Sequence, residues 1–337
     1  MAEGALQEPV VPPGTGAAIG RYRAVRAVSD HAVSGGGVSE DAGAEGESLY
    51  AAVREAAGLL GVACSRDMMR PVLTAFRDVI ASTVVLNAVT SGGRVDDVSF
   101  DFTMPPGAGD PYEIALARGL TGETSHPIRA LFSDLRKRFP VSAYGVDYGI
   151  NRGFNKAYLV FPLGGFQELA GLVDVPSMPV GLSAHADAFA EYGLDGKVSA
   201  IAIDYAHRTW NVYFNGLGAG QVERGAVLSM VREFGLPEPS GQLLDFIGTS
   251  SAVYPTFGWD SPEIERISFS VRTTDPAAVL THADPVLENF AGKVPYAYGG
   301  DRVLVCAGAL SADEEYYKLA AYYRMTSETR DRVQPAN

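Results

Sequence analysis

The chain has 337 residues, 47% of them hydrophobic and 20% charged, enough to bury a large core as one big domain or two ordinary ones. Its formal net charge of -13 argues against nucleic-acid and anionic-membrane partners, which demand a basic face. There is no run of about 18 apolar residues to span a membrane, only Cys64 and Cys306 to oxidise, and no secretory signal at the N-terminus, so a cytoplasmic protein without disulfides or a zinc site is expected.

Residues 1–46 are rich in Ala, Gly, Val, Pro and Glu and read as a flexible extension whose Arg21, Arg23 and Arg26 are solvated. From Ser48 the pattern changes. Leu49, Val53, Ala56 and Leu60 recur at helical spacing, and Ser65 can cap a second helix over Met68, Leu73, Phe76 and Ile80, which Pro71 can distort. Strand-like stretches Thr83–Val89 and Val98–Met104 follow, joined at Gly92-Gly93. The order then repeats. Asp110-Pro111 opens a helix ending at Gly119, Ser125–Phe139 forms another, and strands lie near Val141–Val146 and Lys156–Phe161.

The third round has a poorly marked first helix, a second at Ala184–Tyr192, and strands Val198–Tyr205 and Thr209–Phe214. The fourth has helices Gln221–Phe234 and Gln242–Ile247 and strands Ser251–Phe257 and Ile264–Arg272; the fifth has weak helices Ala277–Leu280 and Pro285–Phe290 and strand Arg302–Leu310. Only Glu314–Tyr323 remains. Its Glu, Lys, Leu and Ala favour a helix by propensity, but its place in an ααββ order repeated five times makes it the last strand. A single domain over 47–330 with a short tail at 331–337 is expected.

Alternation along these strands separates two faces. Asp101 and Thr103 oppose Phe100, Phe102 and Met104; Lys156, Tyr158 and Val160 oppose Ala157, Leu159 and Phe161. Asn211 and Tyr213 oppose Val212 and Phe214, Ala252 and Tyr254 oppose Val253, Arg266 and Ser268 oppose Ile267 and Phe269, and Lys318 and Tyr322 oppose Leu319 and Tyr323. One face is apolar and can be covered by helices. In this α+β chain a sheet of about ten such strands can close on itself, which removes its edges and turns the polar face into a lined interior.

Lys156, Arg266 and Lys318 in an enclosed space need an anion, because an unpaired buried charge is costly. Interior carboxylates look few. Asp101 can balance one cation, and a ligand carrying several negative charges, such as a diphosphate, fits the remainder. Electron-rich tyrosine faces attract cations, by about 0.5 to 2 kcal/mol each, and can shelter the carbocation left when diphosphate departs. The alternative reading is an open sheet whose Lys and Arg face solvent.

Other motifs return little. The glycine clusters at 14–16 and 216–220 lack the setting of a nucleotide loop, and the five histidines lack metal-ligand spacing. Asp96, Asp97 and Asp101 have one residue too many for an aspartate-rich prenyl-diphosphate motif, and Asp96 and Asp97 read as turn residues.

Six pieces, in order and at consistent separations, carry a resemblance: Glu55–Cys64, Asp110-Pro-Tyr112, Pro176–Pro179, Val253-Tyr-Pro-Thr256, Pro295-Tyr-Ala-Tyr298 and Glu314–Leu319. From about Leu49 to Thr329 the chain resembles the soluble bacterial aromatic prenyltransferases of the ABBA type, particularly their naphthol-geranylating branch. The resemblance implies a closed ten-stranded antiparallel barrel inside a ring of helices, and the transfer of a geranyl or dimethylallyl group from an allylic diphosphate to an electron-rich aromatic acceptor, in secondary metabolism, by a monomer. It implies that Lys156, Asn211, Tyr254, Arg266 and Lys318 hold the diphosphate, that Asp101 reaches a bridging Mg2+, and that Tyr158, Tyr213 and Tyr322 flank the prenyl chain and acceptor. Thr103, Ser199, Ser251, Ala252 and Ala320 fall in the acceptor pocket.

The chain departs from the family pattern in four places. His207 stands where geranylating members often have lysine, Ser199 replaces a glutamine, Ser251 a bulky aromatic and Ala252 a serine. The last three shorten pocket side chains and imply a larger, or differently oriented, acceptor than a simple dihydroxynaphthalene. Two other classes compete. A non-catalytic barrel carrying an aromatic ligand has no use for three inward cations, and a phosphohydrolase needs a general base or two-metal cluster that the sequence does not display.

Overall fold

Whether the polar strand face is a lining or an open surface depends on closure, and the sheet closes. The computed structural model describes residues 40–80, 83–91, 94–279, 285–326 and 329. Helices α1 (Glu40–Leu59) and α2 (Arg66–Ala75) precede strands β1 (Val84–Ser91) and β2 (Arg94–Met104). Next come α3 (Pro111–Ala117), α4 (Leu131–Arg138), β3 (Ala143–Gly149) and β4 (Gly153–Val160), then α5 (Leu169–Val173), α6 (Val180–Glu191), β5 (Val198–Asp204) and β6 (Thr209–Asn215). The fourth unit is α7 (Arg224–Glu233), α8 (Gly241–Ile247), β7 (Ala252–Gly258) and β8 (Ile264–Thr273); the fifth is α9 (Pro276–Val279), α10 (Pro285–Lys293), β9 (Leu304–Ser311) and β10 (Glu315–Arg324).

All neighbours pair antiparallel in sequence order, and β1 pairs with β10 to complete a closed ten-stranded barrel. No barrel edge is left for another chain to extend. The expected ααββ order therefore holds through all five units. The third unit's first helix is poorly marked in the sequence because α5 is only five residues long.

Local chemistry starts the helices where expected. Ser65 Oγ accepts from the Met68 amide, Asp110 caps α3 ahead of Pro111, and Ser240 caps α8. Gly193 and Gly235 take φ of 67° and 70° just after α6 and α7, the left-handed position that glycine adopts without a Cβ clash. Helix α2 ends at Ala75, and Phe76 and Ile80 reach the core from the turn beyond it.

The outward strand residues form one buried cluster with the helices. Phe100, Phe102, Leu159, Phe214, Ile267, Leu319 and Tyr323 are all in it, as alternation predicts. The inward residues form two separate clusters. The closing strand is tied to the first helix: Tyr323 Oη lies 2.7 Å from Ser48 Oγ, and Arg324 ion-pairs with Glu45.

Two expectations change. Residues 40–46 belong to α1 and not to the extension, while 1–39, with Arg21, Arg23 and Arg26, and the tail 331–337 lie outside the described residues. Asp96 and Asp97 lie within β2 and not in a turn. No helix among the described residues is long and apolar enough to cross a membrane.

Candidate active site

Register places the inward polar residues in rows that cross the strands. One row runs Asp101, Asp147, Lys156, Asp204 and Thr209 from β2 to β6. A second runs from Thr103 through Gly145, Tyr158 and Ala202 to Asn211, Thr256 and Arg266. A third runs Asn215, Ala252, Ser270, Ala307 and Lys318 across β6 to β10. Residues far apart in the chain thus become direct neighbours.

A cavity of about 410 Å³ opens at the end of the barrel that carries the tight β-hairpins. Lys156, Arg266 and Lys318 line it together with Asn211, Tyr158, Tyr213 and Tyr254, so the structure brings most of the sequence-derived set to one place. Asp147, Arg152, Asp204, His207 and Tyr316 line it too.

Interior carboxylates are more numerous than the sequence reading allows. Lys156 Nζ lies 3.4 Å from Asp204, so this cation already has a partner, and Asp147 sits beside it on β3. Burial opposes a charge on Asp204, but Lys156 and His207 outweigh it and hold the carboxyl below its usual range. His207 Nδ1 lies 3.1 and 3.2 Å from the two Asp204 oxygens and Nε2 lies 2.8 Å from Arg152 Nη1. Because Arg152 can only donate, these partners assign a neutral imidazole with its proton on Nδ1.

Arg266 and Lys318 remain without a carboxylate partner among the described residues. Arg266 Nη2 donates to Thr256 Oγ1 at 3.1 Å, and Asn211 Nδ2 reaches the same hydroxyl at 2.5 Å, so Thr256 ties these two side chains together. Burial, Arg266 and Lys156 push the Lys318 ammonium well below the usual lysine range. Arg152, Lys156, Arg266 and Lys318 line the cavity against Asp147, Asp204 and Glu265, so its described lining keeps a formal excess of positive charge.

Asp101 is fully buried, and neither of its oxygens has a hydrogen bond of good geometry. Burial, then the neighbouring Asp147 carboxylate, raises its pKa and favours the protonated form. Among the described residues no group of three or more His, Cys, Asp or Glu side chains could hold a metal unaided.

Below the cations the interior is aromatic. Tyr213 lies between Tyr158 and Tyr254, with ring centroids 6.2 and 4.8 Å away, and burial raises all three phenol pKa values. Tyr322 lies in the second interior cluster with Val85, Ala252, Val303, Val305 and Ala320, and burial pushes its phenol up to about 12. Thr103 is buried at the level of Tyr158.

Ser199 is committed to β6. Its hydroxyl donates to the Tyr213 carbonyl at 3.1 Å and accepts from Asn215 Nδ2, so both of these bonds go to β6 and it supports Asn215. Ser251 lies one residue before β7, where its amide bonds the Ser270 carbonyl.

Residues 44–334 match the family described as aromatic prenyltransferase Orf2. The chain belongs to this family. The flaviolin linalyltransferase of Streptomyces virginiae is 44% identical over 284 residues, 84% of this chain and 93% of that protein. A furaquinocin biosynthesis prenyltransferase from Streptomyces sp. (strain KO-3988) is 41% identical over 87% of this chain and 94% of its own length. The 5,10-dihydrophenazine-1-carboxylate 9-dimethylallyltransferase of Streptomyces anulatus is 38% identical over 84% and 95%.

The solved 6-dimethylallyltryptophan synthase from Micromonospora olivasterospora, in complex with DMASPP and Trp, matches with a TM-score of 0.51 over 84% of this chain and 99% of that one. At 12% identity that likeness is one of fold. This aromatic prenyltransferase is thus an enzyme of secondary metabolism and not a carrier barrel.

The sequence reading missed Asp147, Asp204, Thr256, Asn215 and Arg152. Asp147 and Asn215 each lie one residue beyond the strand ends drawn from hydrophobic alternation, at Val146 and Phe214. Asp204 and Thr256 were inside drawn strands, and extending the alternation along β5 and β7 would have found them.

Proposed function

We propose that the enzyme transfers a geranyl or dimethylallyl group from its allylic diphosphate to a phenolic or polyketide-derived aromatic ring. The observation that carries this is the pairing of Arg266 and Lys318, which lack carboxylate partners among the described residues, with the Tyr158, Tyr213 and Tyr254 wall in one cavity. Lys156, Arg266 and Lys318 hold the diphosphate, with Tyr254 and Asn211 as neutral donors. Asn211 Nδ2 gives one proton to Thr256 Oγ1, and its second, held only by the Pro255 carbonyl at 3.4 Å, can turn to the anion.

Charge on the departing diphosphate falls on groups already in place, so the allylic C–O bond breaks with little reorganisation. The electron pair leaves with the diphosphate. Tyrosine faces at Tyr158, Tyr213 and Tyr322 shelter the cation from water until a ring carbon attacks, and the ring then loses its proton. No protein nucleophile is required.

The orphaned Asp101 oxygens beside Asp147 suit Mg2+, a cation that binds through one or two carboxylates and completes its shell with substrate phosphates. Asp101 would hold the ion, which would neutralise charge on the leaving group. Asp101 would give up its proton to bind it, and full activity in EDTA would remove this assignment.

Ser251 and Ala252 leave room for an acceptor broader than a simple dihydroxynaphthalene; an unchanged acceptor preference in Ser251→Phe would end that reading. Closure of the barrel and the scarcity of large exposed apolar side chains, Val180 and Tyr296 among the described residues, support a monomer, which light scattering tests. Incubation with geranyl diphosphate, Mg2+ and a panel of phenols, read by mass spectrometry, tests the function. Prenylated phenol is expected; diphosphate release without it with every acceptor would favour a hydrolase.

A further inference from the structure

The third row of inward residues carries polar groups that donor binding does not use. Asn215 on β6 and Ser270 on β8 are nearly or fully buried, and they flank Ala252 on β7, the residue directly opposite each. Asn215 Oδ1 and Ser270 Oγ both lack a hydrogen-bond partner among the described residues. Leaving a buried polar atom unpaired costs about 1–3 kcal/mol, so two in one row call for a ligand.

Their chemistry is directional. The single proton of Ser199 goes to the Tyr213 carbonyl, so Ser199 Oγ can only accept from Asn215, and the amide NH2 must face Ser199. This pins the orientation of Asn215. Its carbonyl oxygen is left as a pure acceptor, and only a ligand that donates an O–H or N–H can satisfy it. Ser270 Oγ can donate or accept, and so takes a hydroxyl or a carbonyl.

Two strand spacings separate Asn215 from Ser270, about 9–10 Å between backbones before inward side chains narrow the gap. The small Ala252 keeps the wall between them flat, and Ala252 packs in the apolar cluster with Val85, Val305, Ala320 and Tyr322. Asn215, Ser270 and Ala252 lie beyond the lining of the cavity, so a flat ring reaches them by displacing the apolar side chains packed over Ala252. Beyond Ser270, the same row leads through Ala307 to Lys318.

We propose that Asn215, locked by Ser199, and Ser270 form a two-point clamp that selects a fused aromatic acceptor with oxygens on opposite edges, the one facing β6 being a free hydroxyl. The inference rests on the proposed acceptor site. The clamp fixes which ring edge is turned towards the donor, so it sets product regiochemistry as well as affinity. Ser199 is a positioning residue within it.

Calorimetry with a dihydroxynaphthalene and its mono- and dimethyl ethers tests the clamp without turnover. Wild-type enzyme should bind the diol about tenfold more tightly than the dimethyl ether, and Asn215→Ala should bring the two within about threefold. Affinity for a thiolodiphosphate donor analogue should stay unchanged. Ser199→Ala, which frees the amide to turn over, should erode the same preference and change the ratio of prenylated regioisomers.

No preference for the diol in wild type, or a preference kept by a folded Asn215→Ala, overturns the clamp. If either variant fails to fold, the wild-type ether series and the other variant still decide. Prenylated product with no hydroxyl preference would refute the clamp and leave the proposed function standing; absence of product with every acceptor would refute that function whatever the binding data show.

Discussion

Lys156 on β4 lies 3.4 Å from Asp204, the residue directly opposite it on β5. This pair and not a free lysine forms one side of the cavity. Asp204 sets both Lys156 and the mouth, because it also takes the His207 backbone amide at 2.8 Å and its imidazole at 3.1 Å. Since its folded pKa lies below the ordinary 3.8, its contribution to stability is complete above about pH 4 and fades as pH falls further.

Asp204→Asn should therefore lower the melting temperature at pH 7 and lose part of the acid sensitivity. The cost should stay below the roughly 3–5 kcal/mol of a dry broken pair, because the cavity admits water. Melting curves from pH 7 to pH 3 decide it. Parallel curves for the two proteins would count against the account.

Lys318 works the opposite way. Burial and its two cationic neighbours depress its pKa, and a bound diphosphate restores the charged form, so donor affinity should be highest where the free lysine is protonated and fall as pH rises past that point. Calorimetry with a thiolodiphosphate analogue should show proton uptake on the alkaline side. Lys318→Met should bind weakly and without this pH dependence; a retained dependence assigns it elsewhere.

Lys318 and Tyr322 share a strand face but belong to different clusters, with Lys318 on the cavity and Tyr322 among Val85, Ala252 and Ala320. Lys318→Ala should raise the KM for the donor and slow ionisation by roughly tenfold or more. Tyr322→Ala should leave donor KM nearly alone and redistribute regioisomers. Equal effects of both on donor affinity alone would contradict the division.

Gly308 on β9 gives a test of the fold away from the chemistry. A Cβ there would meet Leu243 Cδ1 at 2.5 Å and Phe246 Cδ1 at 2.9 Å, both on α8. Gly308→Ala should cost about 1–3 kcal/mol, with the donor KM of the folded fraction unchanged. A neutral effect in denaturant melts would show that α8 is more loosely docked.

The barrel was legible because its two signals are independent. Side-chain alternation named the outward set, and the ααββ order gave Glu314–Tyr323 to a strand although its propensity is helical; cross-strand pairing with β1 and β9 overrides that propensity. The cation cluster was legible because alternation puts Lys156, Arg266 and Lys318 on the same strand face as the tyrosines. What was missed lies at strand ends and in pairings between distant segments. Hydrophobic pattern cannot see Asp147 one residue past Val146, nor that Asp204 lies across from Lys156, because register across β4–β5 is a property of the folded sheet. The Ser199–Asn215 contact was invisible for the same reason, since only the paired β6 brings Asn215 to that hydroxyl.

The central claim is that ionisation at the cations and capture by the acceptor occur in one enclosed site. A single-turnover experiment with geranyl diphosphate and a dihydroxynaphthalene, quantifying released diphosphate and prenylated product separately, tests it most directly. Wild type should give the two in equal amounts, and Lys318→Ala should slow both together. Diphosphate released in excess of product, or product formation unaffected by Lys318→Ala, would contradict it.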